Sequence, residues 1–162
     1  MLHVGRGEAE MDAEQRIREL RIELPSPPGV AGNYVPGVRV GNLVFMSSSV
    51  SRRSDGAYII GKVGSELTVD DGYAAARGAG LFMLSRIQSV IGSLNNVQRV
   101  VKVLGMVNAV PDFKEHPKVI DGFSDLMVEV FGDSGRGARA TAGMMSLSKQ
   151  VAVEVEMILE AK

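Results

Sequence analysis

Apolar positions in this chain change period several times, and each change marks an expected boundary. Residues 12–22, "DAEQRIRELRI", set Ile17 and Leu20 at helical spacing behind Asp12, a capping residue, which predicts a short amphipathic helix. The pattern then stops. Pro25, Pro27 and Pro28 remove amide donors while Gly29 and Gly32 loosen the backbone, so an irregular connector is expected. From Tyr34 the residues read as three antiparallel strands: "YVPGVRV", then "LVFMSSS" across a Gly41-Asn42 turn, then "SRRSDGAYIIG" folded on Asp55-Gly56.

Thr68 followed by Asp71 has the form of a capping box and opens a helix running to about residue 91. Tyr73, Ala76, Gly80, Leu84, Ile87 and Ile91 recur along it at steps of three and four, marking one buried face. Gly72, Gly78 and Gly80 weaken that helix intrinsically and predict close approach to a sheet. "VQRVVKVLGMVNA" is rich in β-branched residues and reads as a central strand, apolar on both faces apart from Lys102 and stopped by Pro111 and Asp112. A second helix, broken near Pro117, carries Val119, Phe123, Leu126, Met127 and Val130 on one stripe. "ARATAGMM" and "VAVEVEMILE" complete the strands. In the latter Val151, Val153, Val155 and Met157 alternate with Ala152, Glu154, Glu156 and Ile158.

This order predicts an α+β layer, with two helices on one face of a mixed sheet. The opposite face would keep many apolar side chains uncovered, and such a face is usually an interface, so a closed homo-oligomer is expected.

Composition narrows the chemistry. The 162 residues fit one compact core behind the connector, dividing the chain at 1–31 and 32–162. Lys and Arg number 18 against 19 Asp and Glu, a formal charge of -1, so no overall field draws the protein to nucleic acid or to an anionic membrane. Cysteine is absent, which removes disulfides and thiol chemistry and fits a reducing compartment; a cytoplasmic location is expected. No apolar run approaches a membrane span, and the first 15 residues lack the apolar centre of a secretory signal. The histidines are His3, near the terminus, and His116, so a histidine metal site or a catalytic triad has almost no material.

"GRGARATAG", residues 135–143, is the most suggestive stretch. Gly and Ala leave the backbone open to anything bound there, while an arginine offers a rigid, permanently charged fork suited to a carboxylate or phosphate. Arg139 is the candidate. Arg136 reads as a solvated loop residue.

Taken together, "GNYVPGVRVGNLVFMS", "GKVGSELTVDDGYAAAR", "VVKVLGMVNAVPDF", "DLMVEVFG", "GARATAG" and "VAVEVE" resemble, in order and spacing, the RidA/YjgF family, also called the L-PSP endoribonuclease family. The resemblance covers residues 32–160. It implies a chorismate-mutase-like fold without that enzyme's activity, assembled as a homotrimer whose sheets form a central β-barrel with ligand clefts between subunits. It also implies hydrolysis of reactive 2-imino or 2-enamino acids, such as 2-aminoacrylate, to 2-keto acids and ammonia, with no cofactor and no metal. The partner is then a small carboxylate-bearing metabolite.

Carried over by position, the resemblance gives Arg139 the substrate carboxylate, held through two parallel charge-assisted hydrogen bonds. The Thr141 backbone supplies a further contact, Tyr34 and Ser47 line the site, and Glu154 orients water. Catalytic roles fall on Arg139 and Glu154, binding roles on Arg139, Tyr34, Ser47, Ser48, Thr141 and Asp121. This chain also departs from the family. Ser48 stands where a glycine lies beside the ligand, Asp121 and Phe82 replace asparagines, and Gly137 replaces a proline or histidine. The competing reading of Arg139 is a structural arginine paired with Glu154 or Asp121 across the interface. For function, the alternatives are a non-catalytic trimer binding 2-keto acids or other carboxylates, and a ribonuclease, which lacks a catalytic histidine pair and a basic stripe with interleaved aromatics.

Overall fold

The computed structural model describes residues 11–162, and His3 lies outside them. Helix α1 (Ala13–Glu19) opens on the expected cap: the Gln15 amide donates to Asp12 at 2.8 Å and the Asp12 amide donates to the Gln15 side chain at 3.0 Å. Its buried contacts are Ala13 and, in part, Ile17, whereas Leu20 is exposed, so the apolar face is narrower than its spacing implied. The hydroxyl of Ser93 donates to Glu14 at 2.6 Å and fastens α1 to the body.

Strands β1 (Gly37–Val40), β2 (Leu43–Val50), β3 (Val97–Asn108), β4 (Ala138–Met144) and β5 (Val153–Ala161) form one sheet in the order β1-β2-β5-β3-β4. Gly41, at φ +61°, makes the tight β1–β2 turn. Pairing is antiparallel except between β3 and β4, which run parallel. That parallel pair needs a crossover, and α3 (His116–Phe131) supplies it. β3 is central as expected, with Val100, Val103 and Val107 buried toward the helices, but Leu104 and Met106 on its other side are only half-buried.

Three expectations are corrected. The segment after β2 is not a third strand of the sheet: it turns at Gly56, φ +89°, and leaves only the bridges Arg52 to Tyr58 and Ile60 to Val151, because it wraps over α2 instead of lying flat. Pro117 does not break α3 but occupies its first turn, where a missing amide costs nothing. The glycines of α2 (Val69–Ile91) meet mainly other elements, not the sheet. A Cβ at Gly80 would lie 2.8 Å from Leu126 on α3, and one at Gly78 would lie 2.3 Å from the Arg52 carbonyl.

The predicted faces of α2 and α3 form the core, with Leu84, Ile87, Val119, Phe123, Leu126, Met127 and Val130 fully buried. Burial on α2 also takes in Ala75, Ala79 and Met83, since α3 covers one flank and the sheet another. Along the rim Arg77 binds Glu129 through both terminal nitrogens, at 3.1 and 2.7 Å. Nearby, Tyr73 donates to Asp125 at 2.9 Å, a bond that holds the Tyr73 hydroxyl pKa above its ordinary value.

The sheet face away from the helices is open. Val38, Val40, Leu43 and Phe45 are 51%, 62%, 38% and 43% exposed, a contiguous apolar patch where β1 pairs with β2.

The Thr68 capping box is present in both directions, with Asp71 amide to Thr68 hydroxyl at 3.1 Å and Thr68 amide to Asp71 at 2.9 Å. Replacing Thr68 by alanine is expected to lower stability by about 1 kcal/mol in urea titrations. Hydrogen bonds from the Thr68 backbone and side chain keep the Asp71 pKa below its ordinary value. The stabilisation is therefore present above the unfolded carboxylate pKa, about 3.9, and is lost as pH falls through the lower folded pKa, so the gap between wild type and Thr68→Ala should narrow in acid.

Candidate functional site

Two clefts contain most of the polar groups singled out above. The larger, about 270 Å³, lies between β4 and α3. Arg139 pairs in register with Val103, whose side chain faces the helices, so the guanidinium also projects toward α3. There Nη1 donates to Asp121 Oδ1 at 2.7 Å and to Ser124 Oγ at 3.1 Å, two acceptors one helical turn apart. Among the described residues nothing accepts from Nε or Nη2. The fork is thus held by one nitrogen, and its other edge is available for two parallel hydrogen bonds to an oxyanion.

Gly137 belongs to this geometry. A Cβ there would lie 2.7 Å from Val100, so the chain enters β4 tightly against β3. Arg136, bonded to Asp133 at 3.3 Å with its side chain 69% exposed, is the solvated loop residue expected.

The second cleft, about 140 Å³, is lined by Tyr34, Ser48, Arg52, Tyr58, Arg86, Lys149 and Glu154 among others. Its geometry depends on a bulge. The β2–β5 register steps from Met46 opposite Met157 to Ser49 opposite Val155, so an extra residue is accommodated and Ser49 turns inward. Ser48 is thereby set beside β5, where its hydroxyl donates to Glu154 Oε1. Tyr34, about half-exposed, stands at the rim, its hydroxyl accepting from the Ala31 amide at 3.4 Å.

The predicted residues therefore divide. Tyr34, Ser48 and Glu154 meet in one cleft, Arg139 and Asp121 in the other, and a single chain does not join them. Ser47 lines neither: its hydroxyl donates to the Val35 carbonyl at 2.6 Å, a local backbone contact. Thr141 lies opposite Gly105 and also lines neither cleft. Arg139 does pair with Asp121, but within one chain, while Glu154 is engaged by Ser48. Phe82, 4% exposed, places its ring 5.7 Å from the Arg52 guanidinium.

Sequence reasoning missed Arg52, Arg86, Lys149 and Ser124. For Arg86 a signal existed: it follows Ala79 and Met83 and precedes Val90 at steps of four, three and four, a charge set into an apolar helical stripe.

Among the described residues no group of three or more His, Cys, Asp or Glu side chains could hold a metal ion, and no helix is long and apolar enough to cross a membrane.

Comparison with known proteins agrees with this architecture. Residues 14–157 match the family model described as "YjgF/chorismate mutase-like, putative endoribonuclease". The chain is 39% identical over 145 residues to protein TCP17 of Trypanosoma cruzi, across 89% of this chain and 91% of that relative. It superposes on the crystal structure of Atu1372 from Agrobacterium tumefaciens with a TM-score of 0.84 and 35% identity, covering 93% of this chain and 94% of the other. Escherichia coli TdcF, solved with bound serine, shares the fold at a TM-score of 0.59 and 23% identity, over 86% of this chain and 97% of its own.

Proposed function

The chain belongs to the YjgF/chorismate mutase-like family, also called RidA/YjgF, and from that premise we propose that it is a cofactor-free hydrolase of reactive 2-imino and 2-enamino acids, working at clefts completed between subunits of a homotrimer. The supporting observation is the division of the candidate residues between two open half-sites on one chain. The exposed apolar face of β1 and β2 supplies a surface for association, and three sheets closing through such faces would form a central barrel. In that assembly Arg139 of one subunit meets Tyr34, Ser48 and Glu154 of the next.

The chemistry follows from the groups present. Nε and Nη2 of Arg139 take the substrate carboxylate and fix C2 in the cleft. A 2-enamino acid first gains a proton from solvent at C3 and becomes the iminium form of the imine. Glu154, itself held by Ser48, positions a water and accepts its proton as oxygen bonds to C2. Returning that proton to nitrogen lets the carbon–nitrogen bond break while the hydroxyl proton on C2 passes to Glu154 and on to solvent, leaving a 2-keto acid and ammonia. The atoms balance with water alone.

The test is release of ammonia and keto acid from 2-aminoacrylate generated in situ, with the subunit number followed by light scattering. Unaccelerated release by an intact trimer would reject the hydrolase. A second reading, a trimer that binds 2-keto acids without turnover, is favoured by one observation: Asp121 already occupies part of Arg139. Calorimetry showing pyruvate binding alongside absent turnover would select it. RNA cleavage has less support, since the net charge is -1 and supplies no overall field to draw RNA.

The Asp121 contact gives a prediction of its own. Its side chain is 46% exposed, so the ion pair contributes little, yet its charge opposes an incoming carboxylate. Asp121→Asn is expected to tighten pyruvate binding roughly twofold to fivefold in calorimetry, the scale of an exposed ion pair.

A further inference from the structure

The cleft holding Ser48 and Glu154 has more positive charge than one water-positioning carboxylate explains. Arg52, Arg86 and Lys149 line it, and among the described residues Glu154 is the sole acidic side chain in its wall. Among the described residues none of the three cations forms an ion pair.

Arg86 is the most telling of them. Only 7% of it is exposed; Nη1 donates to the Ser48 carbonyl, and Nε is buried with no hydrogen-bond partner among the described residues. A guanidinium withdrawn from water without a counter-ion is strongly disfavoured, and burial pushes its pKa down. An anion entering the cleft would relieve that cost. The neighbours are arranged to receive one. Arg52 stacks 4.2 Å above the Tyr58 ring while donating to the Tyr58 hydroxyl at 2.9 Å, with Phe82 beneath it. Lys149, held at φ +55°, brings its ammonium to 5.2 Å from the same Tyr58 ring. Aromatic faces thus fix two cations without neutralising them.

We propose that this cleft binds a second anionic group of the substrate, so that the ligand is a 2-imino acid bearing an additional carboxylate or phosphate. This rests on the reading above, in which Arg139 of the adjoining subunit takes the first carboxylate. Arg86 and Lys149 receive the second group, and Arg52 sets the field.

Calorimetry on the assembled protein tests this with three ligands: 2-oxobutanoate, with one anionic group; 2-oxoglutarate, with a second carboxylate; and 3-phosphonopyruvate, whose C3 phosphonate stands in for a phosphate. One of the two ligands with a second anionic group is expected to bind about tenfold or more tightly than 2-oxobutanoate, the scale of one charge-assisted hydrogen bond, and the tighter of them identifies the second group. Arg86→Met, which also gives up the bond to the Ser48 carbonyl, is expected to bring the affinity ratio between that ligand and 2-oxobutanoate close to one. Lys149→Gln should reduce it. Equal affinity for all three ligands, or a preference that survives both substitutions, overturns the second-anion site and leaves the hydrolase standing. If no ligand binds and 2-aminoacrylate is not turned over, both fall together.

Discussion

Arg139→Ala is expected to lower kcat/KM for 2-aminoacrylate hydrolysis by roughly 100-fold to 1,000-fold, because two charge-assisted hydrogen bonds at about 1.5–3 kcal/mol each are lost and are only partly replaced by water. The loss should exceed that from a simple vacancy. With the guanidinium gone, Asp121, now unpaired, faces the substrate carboxylate directly. The double variant with Asp121→Asn should therefore recover part of the activity, a non-additivity expected of groups in contact. Arg139→Lys should recover less than a conserved charge would imply, since a single ammonium cannot make two parallel bonds while also holding Asp121 and Ser124. Stability should change by less than about 1 kcal/mol, as the pair with Asp121 is partly solvated. Full activity in Arg139→Ala, with the trimer retained, would remove this residue from the site.

The second large effect is on folding. A Cβ at Gly122 would stand 2.1 Å from the Tyr73 carbonyl oxygen and 3.2 Å from the Arg77 amide nitrogen, both backbone atoms of α2. Helix propensity favours alanine over glycine by about 1 kcal/mol, so on local grounds Gly122→Ala should stabilise α3. Close packing decides otherwise. Backbone cannot rotate away as a side chain can, and α3 would have to lift from α2 along the line that carries Phe123 and Leu126. Overpacking of this kind costs about 3 kcal/mol or more, leaving a net loss of about 2 kcal/mol or more in chemical denaturation. Gly29→Ala, where nothing lies within 4 Å, is the control and should leave stability unchanged. Unchanged stability in Gly122→Ala would mean the helices are not packed backbone to backbone at this point.

Much of the fold could be read before any coordinates. Alternation in "VAVEVEMILE" placed the valines of β5 inward and its glutamates outward, because a strand has period two whatever it pairs with. The Thr68 box and the α3 stripe were equally local. Errors arose where a distant partner decided. The residues after β2 carry strand-like chemistry and a true Asp55-Gly56 turn, yet they fold over α2, whose Gly78 admits the Arg52 carbonyl. Gly72 and Gly80 announced a close approach, read as one to the sheet, whereas it is α3 that approaches.

For the site, the sequence by itself determined the residue types and their faces: an arginine among small residues on β4, a glutamate on the outward side of β5, and an apolar sheet surface with nothing among the described residues to cover it. Tertiary structure alone decided which of these meet. It set Asp121 and Ser124 against one nitrogen of Arg139, turned Ser48 toward Glu154 through a bulge, and gathered Arg52, Arg86 and Lys149 around one cleft. The reason is physical: periodicity and capping act over a few residues, whereas a charge finds its partner through packing between elements far apart in the chain.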